Sequence, residues 1–332
     1  MLYIKPKSTD AAFHFSVETY FMERPTLDEP IFMIWQADHC AMLGAYQVAE
    51  AEIDLRIAKA SDIQIVRRPS GGGTIFTDMG TLLCSLILPD ADTQSTREIK
   101  RETFAGPIVR ALNKLHIPAK PEGRNDILVE GKKVSGLAQH TKRDRVCTHG
   151  SLLYDTNLNT LTDVLQVDDE KIRSKAIRSV RSRVTNLSAY LDPPVSTAEF
   201  WTLLEQNLAE EWDLREYILS EAELTEIDGI YQKKFGNPDW TFGNSPKFSF
   251  HNSKRFPGGK VEVFLDVVKG VVAACSICGD FLGTIPIRGL EQIFEKQHFQ
   301  CDSIRPALAD IDLRPYLGDI TKDELLSCLF DS

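Results

Sequence analysis

The chain has 332 residues, 42% of them hydrophobic and 26% charged, with 38 Lys and Arg against 48 Asp and Glu for a formal net charge of −10. That length supports one large domain and a smaller one, each with its own core. The acidic balance argues against nucleic acid as the main partner, because phosphate contacts need a surplus of Lys and Arg on at least one face, and no apolar run reaches the roughly 18 to 20 residues that cross a bilayer.

The opening MLYIKPKSTDAAFHF lacks the segments of a signal peptide, which points to a cytoplasmic chain. DAAFHFSVETYFMER (10–24) then places Ala11, Phe15 and Val17 to Phe21 largely on one helical face, and PIFMIWQA (30–37) reads as a buried strand. EAEIDLRIAKASD predicts one further amphipathic helix feeding the strand IQIVRRP. TIFTD and GTLLCSLILP read as strands, and a long helix is expected from Ser95 to Leu115, ended by Pro118. From Asn125 come the short strands DILVEG, KKVSGLAQHT and VCTHGSLLYD, with turn signals between them. Residues 157–235 read as mainly helical. The segment GNPDWTFGNSPKF (236–248), crowded with Gly, Asn, Ser and Pro, marks a boundary between a domain at 1–244 and another at 245–332. The second reads as a hairpin followed by short helices, an α+β module.

Two clusters carry chemistry. In RRPSGGGTIFTD (67–78) a triple glycine lets backbone N–H groups converge on an anion, and Arg67 and Arg68 can add charge-assisted bonds to phosphate or carboxylate oxygens. It matches neither a Walker loop nor a dinucleotide fingerprint, and an ordinary glycine-rich loop with surface arginines is the competing reading. In GRNDILVEGKKVSGLAQ (123–139), Asn125 and Asp126 enter a strand, Lys132 and Lys133 follow a tight turn, and Gly136 lies beyond. A lysine so placed can set its ammonium against developing negative charge.

The seven cysteines are odd in number and scattered, so reduced thiols are expected. CSIC (275–278) lacks a second pair at zinc-ribbon spacing and reads as two structural cysteines. The run KIRSKAIRSVRSRV (171–184) has six basic residues and no acidic one; it reads as a solvated basic face, or as a surface near phosphates or for an acidic partner.

In this order, RRPSGGGTIFTDMG (67–80), GRNDILVEGKKVSG (123–136), HGSLLYD (149–155), SVRSRVTNLS (179–188) and WTFGNSPKF (240–248) resemble the lipoate-protein ligase A family, over nearly the whole chain. The resemblance implies a large α/β (α+β) catalytic domain of the biotin and lipoate ligase type with a small α+β C-terminal accessory domain. It implies ATP-dependent activation of lipoate to lipoyl-AMP, then transfer to a lysine of an acceptor domain. The expected acceptors are lipoyl domains of 2-oxoacid dehydrogenase complexes or the glycine-cleavage H protein, with no nucleic acid or membrane partner and a monomeric enzyme.

By the same resemblance Lys133 is the catalytic residue, placed between the lipoate carboxylate and the α-phosphate. Arg68, Gly73, Thr74, Ile75, Phe76, Asn125, Asp126 and Lys133 would bind ATP, with Mg²⁺ at Asp126, a carboxylate suited to a hard cation. Gly71, Gly72, Lys133, Gly136 and His149 would bind lipoate. Ala45, Val48, Leu137 and Thr148 depart from the family pattern, and the expectation is that they cluster near the acid. Two alternatives stand beside this reading: an ATP-independent lipoyl or octanoyl transferase using Cys147 as nucleophile, and a relative that binds lipoate without turnover.

Overall fold

The computed structural model describes residues 1–332 except 25–28, 90–96, 124, 165–182, 244–247 and 331–332. Most of the basic run 171–184 and part of the 236–248 turn segment therefore lie outside the described residues. The chain divides into two compact units, one made of Met1–Met42, Ile53–Val66 and Ile75–Asn237, the other of Leu43–Glu52, Arg67–Thr74 and Pro238–Ser332. The second unit thus takes in two short pieces of the N-terminal half as well as the C-terminal module.

The first unit is built on a sheet of eight strands. They are β1 (Leu2–Ile4), β2 (Ile31–Trp35), β6 (Thr81–Pro89), β7 (Ala119–Glu122), β8 (Asp126–Val129), β9 (Lys132–Lys142), β10 (Arg145–Leu153) and β11 (Arg215–Glu216). Their order is β11-β1-β2-β6-β10-β9-β8-β7. A separate trio, β4-β3-β5, comprises β3 (Cys40–Leu43), β4 (Gln64–Arg67) and β5 (Ile75–Thr77).

Alternation along the central strands gives the large sheet two different faces. Phe32, Leu86, Thr148 and Gln139 form one cross-strand row, and Ile34, Cys84, Gly150 and Leu137 the next. This face packs on the helices Arg97–Lys114 and Thr197–Ala209, whose Phe104, Ile108, Leu112, Phe200, Leu204 and Leu208 join it in one core. The intervening residues form the rows Met33, Ser85, His149, Ala138 and Ile31, Ile87, Cys147, His140. Helix α1 (Ala11–Glu23) covers that second face, with the Phe15 ring 5.5 Å from Trp35 and 6.0 Å from His149. Asp10 caps α1 by accepting from the Ala12 N–H.

The strong strand and helix patterns of the sequence recur in the structure. EAEIDLRIAKASD is the exception, forming two short helices, Ala49–Glu52 and Leu55–Ala60. The break has a local cause: the Asp54 side chain accepts from the N–H groups of Arg56 and Ile57, starting a new helix instead of continuing the first. The strands β1, β3, β7 and β11 are short and carry little periodic signal of their own.

The second unit contains an antiparallel sheet of β12 (Phe250–Phe256), β13 (Gly259–Val268) and β14 (Val271–Gly279). The helices Arg288–Phe294, Cys301–Ala307, Arg314–Leu317 and Lys322–Phe330 complete it around a core that includes Val263, Leu265, Phe281, Leu290, Phe294 and Leu325. Tyr46 docks the 43–52 segment here, its ring stacked 4.9 Å from Phe281 and its hydroxyl donating to the Ile285 carbonyl at 2.9 Å. Cys275 and Cys278 are both buried, and burial pushes both thiols up, Cys278 to about 11. They behave as structural cysteines, as their spacing implies.

Phe200 is fully buried and stacks 4.1 Å from Tyr154. Phe200→Ala should therefore destabilise the first unit by about 3–5 kcal/mol, read as a lower thermal unfolding midpoint; an unchanged midpoint would contradict this packing.

Candidate active site

In the second unit the glycine loop is held by two arginines with different duties. Arg67 is 1% exposed and donates to the carbonyls of Gly44 (2.9 Å), Gln47 (2.5 Å), Trp240 (3.0 Å) and Thr241 (2.5 Å). The Trp240 indole N–H returns a bond to the Arg67 carbonyl at 2.8 Å. A buried guanidinium is tolerable only when its five donors are used, and here they tie the 44–47 and 240–241 segments together. Arg67 is thus a framework residue and not the exposed anion ligand that its sequence position allows.

Arg68 is also buried and braces the loop from inside. Its Nη2 donates to the carbonyls of Gly71 and Gly73, both at 2.8 Å, and its Nε to Ser70 Oγ at 3.2 Å. Burial first, then the charge of Arg67, pushes it down to about 10, so it stays positive at neutral pH and places a fixed charge under the loop. Gln47 adds a further brace, its Oε1 accepting from the Gly44 N–H at 2.8 Å and from Thr74 Oγ1 at 3.0 Å.

The glycines are not equivalent. A Cβ on Gly71 would stand 2.4 Å from the Phe281 carbonyl oxygen, and Gly72 has a φ of +92°, so packing and backbone conformation account for both. A Cβ on Gly73 would meet nothing within 4 Å among the described residues. Only there does the loop present open space beside its main chain.

The first unit holds the other expected residues. Ile75 and Phe76 lie on β5, opposite Met42 and Ala41 of β3, and Phe76 is buried. Lys133 is the second residue of β9, and its Nζ lies 2.8 Å from Asp126 Oδ1, with both side chains about a third exposed. A Cβ on Gly136 would stand 2.9 Å from the Lys133 ammonium, so glycine there lets the lysine lie across its own strand. Asn125 fixes the approach: its Nδ2 donates to the Leu137 carbonyl at 3.2 Å, and its carbonyl accepts from the Leu137 N–H at 2.7 Å. The Lys133 carbonyl accepts from the Thr185 N–H at 3.0 Å, which brings the RVTN part of the fourth motif to the same place.

Gly136, Ala138 and His140 alternate along β9 on the face that α1 covers, and His149 is directly opposite Ala138 on β10. The β8–β9 register shifts between Ile127 and Leu128, so Lys133 and Gly136, three residues apart, meet on one side, and from there β9 offers a glycine and an alanine on this face before the position opposite His149 is passed. His149 Nδ1 lies 3.1 Å from the Glu18 carboxylate, which also accepts from Ser85 Oγ at 2.6 Å, and Ser85 Oγ accepts from the Trp35 indole N–H at 3.0 Å. Burial alone would raise the Glu18 carboxyl, but the charge and hydrogen bond of His149 hold it below the usual carboxylate range. Burial followed by the nearby His149 pushes His140 down to about 3, leaving its imidazole neutral. Burial and the Glu18 charge push the Cys147 thiol well above its ordinary value.

Two of the departures from the family pattern face away from this arrangement. Leu137 belongs to the core on the opposite face, where Gly150 leaves room for it: a Cβ on Gly150 would meet the leucine at 2.4 Å. Thr148 shares that face, its hydroxyl accepting from Gln139 Nε2 at 2.8 Å. Ala45 and Val48 belong to the second unit. Alternation thus turns Leu137 and Thr148 to the side of the sheet opposite Gly136, Ala138 and His149. Sequence reasoning missed Glu18 and His140. Glu18 falls within Val17 to Phe21, the stretch that the helical pattern turns to one face, and its place within the aromatic run FHFSVETYF is the one signal that it is buried.

Residues 10–209 match the lipoyl protein ligase A/B catalytic domain family, and residues 245–329 match the bacterial lipoate protein ligase C-terminus. The chain is 33% identical to the lipoate-protein ligase LplJ of Bacillus subtilis (strain 168), covering 99% of this chain and 100% of that protein. A bipartite lipoate protein ligase of Thermoplasma acidophilum, described in a study of that ligase and its E2 lipoyl domain, superposes with a TM-score of 0.66 at 27% identity, over 75% of this chain and 98% of that one. A lipoate-protein ligase A bound with ATP superposes with a TM-score of 0.64 at 25% identity, over 74% and 98% respectively.

The glycines give a direct test of the loop. Gly71→Ala should lower the unfolding midpoint, whereas Gly73→Ala should shift stability by less than about 0.5 kcal/mol. Equal destabilisation by both substitutions would contradict the open space at Gly73.

Proposed function

Because the chain belongs to the lipoate-protein ligase family, we propose that its two groups of site residues carry out the adenylation and transfer of lipoate. The enzyme is an ATP-dependent lipoate-protein ligase. The lipoate carboxylate attacks the α-phosphate of ATP, pyrophosphate leaves, and lipoyl-AMP forms. The amine of an acceptor lysine then attacks the carbonyl of that mixed anhydride, AMP leaves, and the lipoyl group ends in an amide bond.

The observation that carries the reading is Lys133. Its ammonium lies over Gly136 beside Asp126, at the head of a strand face that offers only Gly136 and Ala138 before His149. An ammonium so placed can hold the acid's carboxylate and stabilise the charge that grows on the α-phosphate, an effect that strengthens where water is excluded. The small residues leave room for an apolar chain running along β9, with Gly136 and His149 bordering it.

In the same reading Arg68, Gly73 and Thr74 serve the phosphates and adenylate, with Ile75 and Phe76 as the continuation into β5, and Gly71 and Gly72 are assigned to lipoate. The open main chain at Gly73 and the fixed charge of Arg68 favour an anion there. Asn125 sets the backbone around Lys133. Asp126 suits Mg²⁺, which is commonly held by one or two carboxylates together with substrate phosphates. When bound, that ion would neutralise phosphate charge, and Asp126 would exchange its pairing with Lys133 for the ion.

The transferase alternative is disfavoured by Cys147 itself. Its side chain is fully buried, and burial with the Glu18 charge keeps it a thiol at neutral pH, whereas a nucleophile must be a thiolate. The acceptors are lipoyl domains, those of 2-oxoacid dehydrogenase complexes or the glycine-cleavage H protein, and the enzyme acts as a monomer in the cytoplasm. No helix among the described residues is long and apolar enough to cross a membrane.

Lys133→Ala should cut lipoate-dependent ATP–pyrophosphate exchange by at least about 10²-fold while leaving the unfolding midpoint near that of the parent. Near-normal exchange by this variant would sink the role assigned to Lys133.

A further inference from the structure

The ligase reaction gives His140 and Cys147 on the α1 face of the sheet no role, and both lie beside His149. One ring nitrogen each of His140 and His149 and the sulfur of Cys147 lie within 4.8 Å of one another. Strand register brings them together: Cys147 is directly opposite His140, and His149 is two residues further along β10, so all three side chains leave the same face. His140 is 8% exposed, and its Nδ1 is buried with no hydrogen-bond partner among the described residues. Such an orphan donor or acceptor is costly in a folded interior and calls for a ligand or a role. Behind His149 stands the Glu18 carboxylate, 3.1 Å from Nδ1 and held by Ser85. A carboxylate orienting an imidazole in this way is the outer support that metal-binding histidines commonly have.

We propose that His140, Cys147 and His149 form a binding site for one divalent transition-metal ion of the zinc class, with the Glu18 carboxylate orienting the His149 ring. Two imidazoles and a sulfur suit such borderline-soft ions and discriminate against Mg²⁺ and Ca²⁺, which favour oxygen. Tetrahedral bonds of about 2.0–2.1 Å to nitrogen and about 2.3 Å to sulfur separate the donors by roughly 3.3–3.6 Å. Side-chain rotations of about 1 Å therefore close the site from its present spacing. On coordination the Cys147 thiol gives its proton to solvent, and the thiolate and Glu18 together offset the charge of the ion. Three protein ligands leave one position for water. The ion would join β9 to β10 and, through Glu18, steady α1 on the sheet.

The test uses the full-length enzyme, freed of metal with a chelator and titrated with Co²⁺. One equivalent should give a thiolate-to-cobalt charge-transfer band in the near ultraviolet together with the visible bands of tetrahedral cobalt. Both should vanish in Cys147→Ser, and His140→Asn should weaken binding at least about tenfold. Zn²⁺ should displace the cobalt and raise the unfolding midpoint. No band at one equivalent would overturn the proposal. So would a spectrum and affinity unchanged in both variants, since the ion would then sit on other cysteines. Should Cys147→Ser fail to fold, as judged by circular dichroism, His140→Asn carries the same decision.

Discussion

Pairing of β2, β6, β10 and β9 in one fixed register decides what each face of the large sheet contains. Side chains alternate with a period of two, so a slip by one residue would turn Gly136, Ala138, His140 and His149 into the helix-packed core and send Leu137 and Gln139 to the α1 face. The core face guards against that slip. Phe32, Leu86, Ile34, Cys84 and Leu137 fit against the helices Arg97–Lys114 and Thr197–Ala209, and exchanging them for His140 or His149 would set polar imidazoles among hydrocarbons. Hydrophobic burial on one face thereby positions the polar chemistry on the other.

The same economy governs the glycine loop in the second unit. Two adjacent buried arginines would repel each other and lose their hydration, and the chain offsets both costs with backbone carbonyls from 44–47, 71–73 and 240–241. Gly71 and Gly72 are consequences of that close packing. Gly73 alone leaves its main chain open, which separates glycine as a packing necessity from glycine as an opening for a ligand.

Much of this was legible beforehand. α1, β2, β6 and β8 to β10 followed from periodicity, because long strands and helices with one clear hydrophobic pattern declare themselves. The broken helix at Ile53–Asp54 was not legible, since an Asp capping the next helix competes with a continuous amphipathic pattern. Lys133, Asp126 and Gly136 stood out through their motif, and the structure supplies the reason for that glycine. Arg67 looked equivalent to Arg68, and only the carbonyls around it distinguish them. Glu18 and His140 were invisible because their neighbours come from α1, β6, β9 and β10, and no local pattern encodes such meetings. The face of Leu137 and Thr148 was hidden for a related reason: closeness to Lys133 and His149 along the chain says nothing until alternation assigns a face.

Burial and the Glu18 charge push the Cys147 thiol well above its ordinary value, which disfavours acyl transfer by the cysteine and leaves activation of the acid by ATP. The most direct measurement incubates the enzyme with lipoate and a lipoyl domain, with and without ATP, and follows the mass of the domain together with the nucleotide products. The account predicts one lipoyl group on the domain only when ATP is present, with AMP and pyrophosphate formed. Modification from a lipoylated donor in the absence of ATP, lost on replacing Cys147, would contradict it.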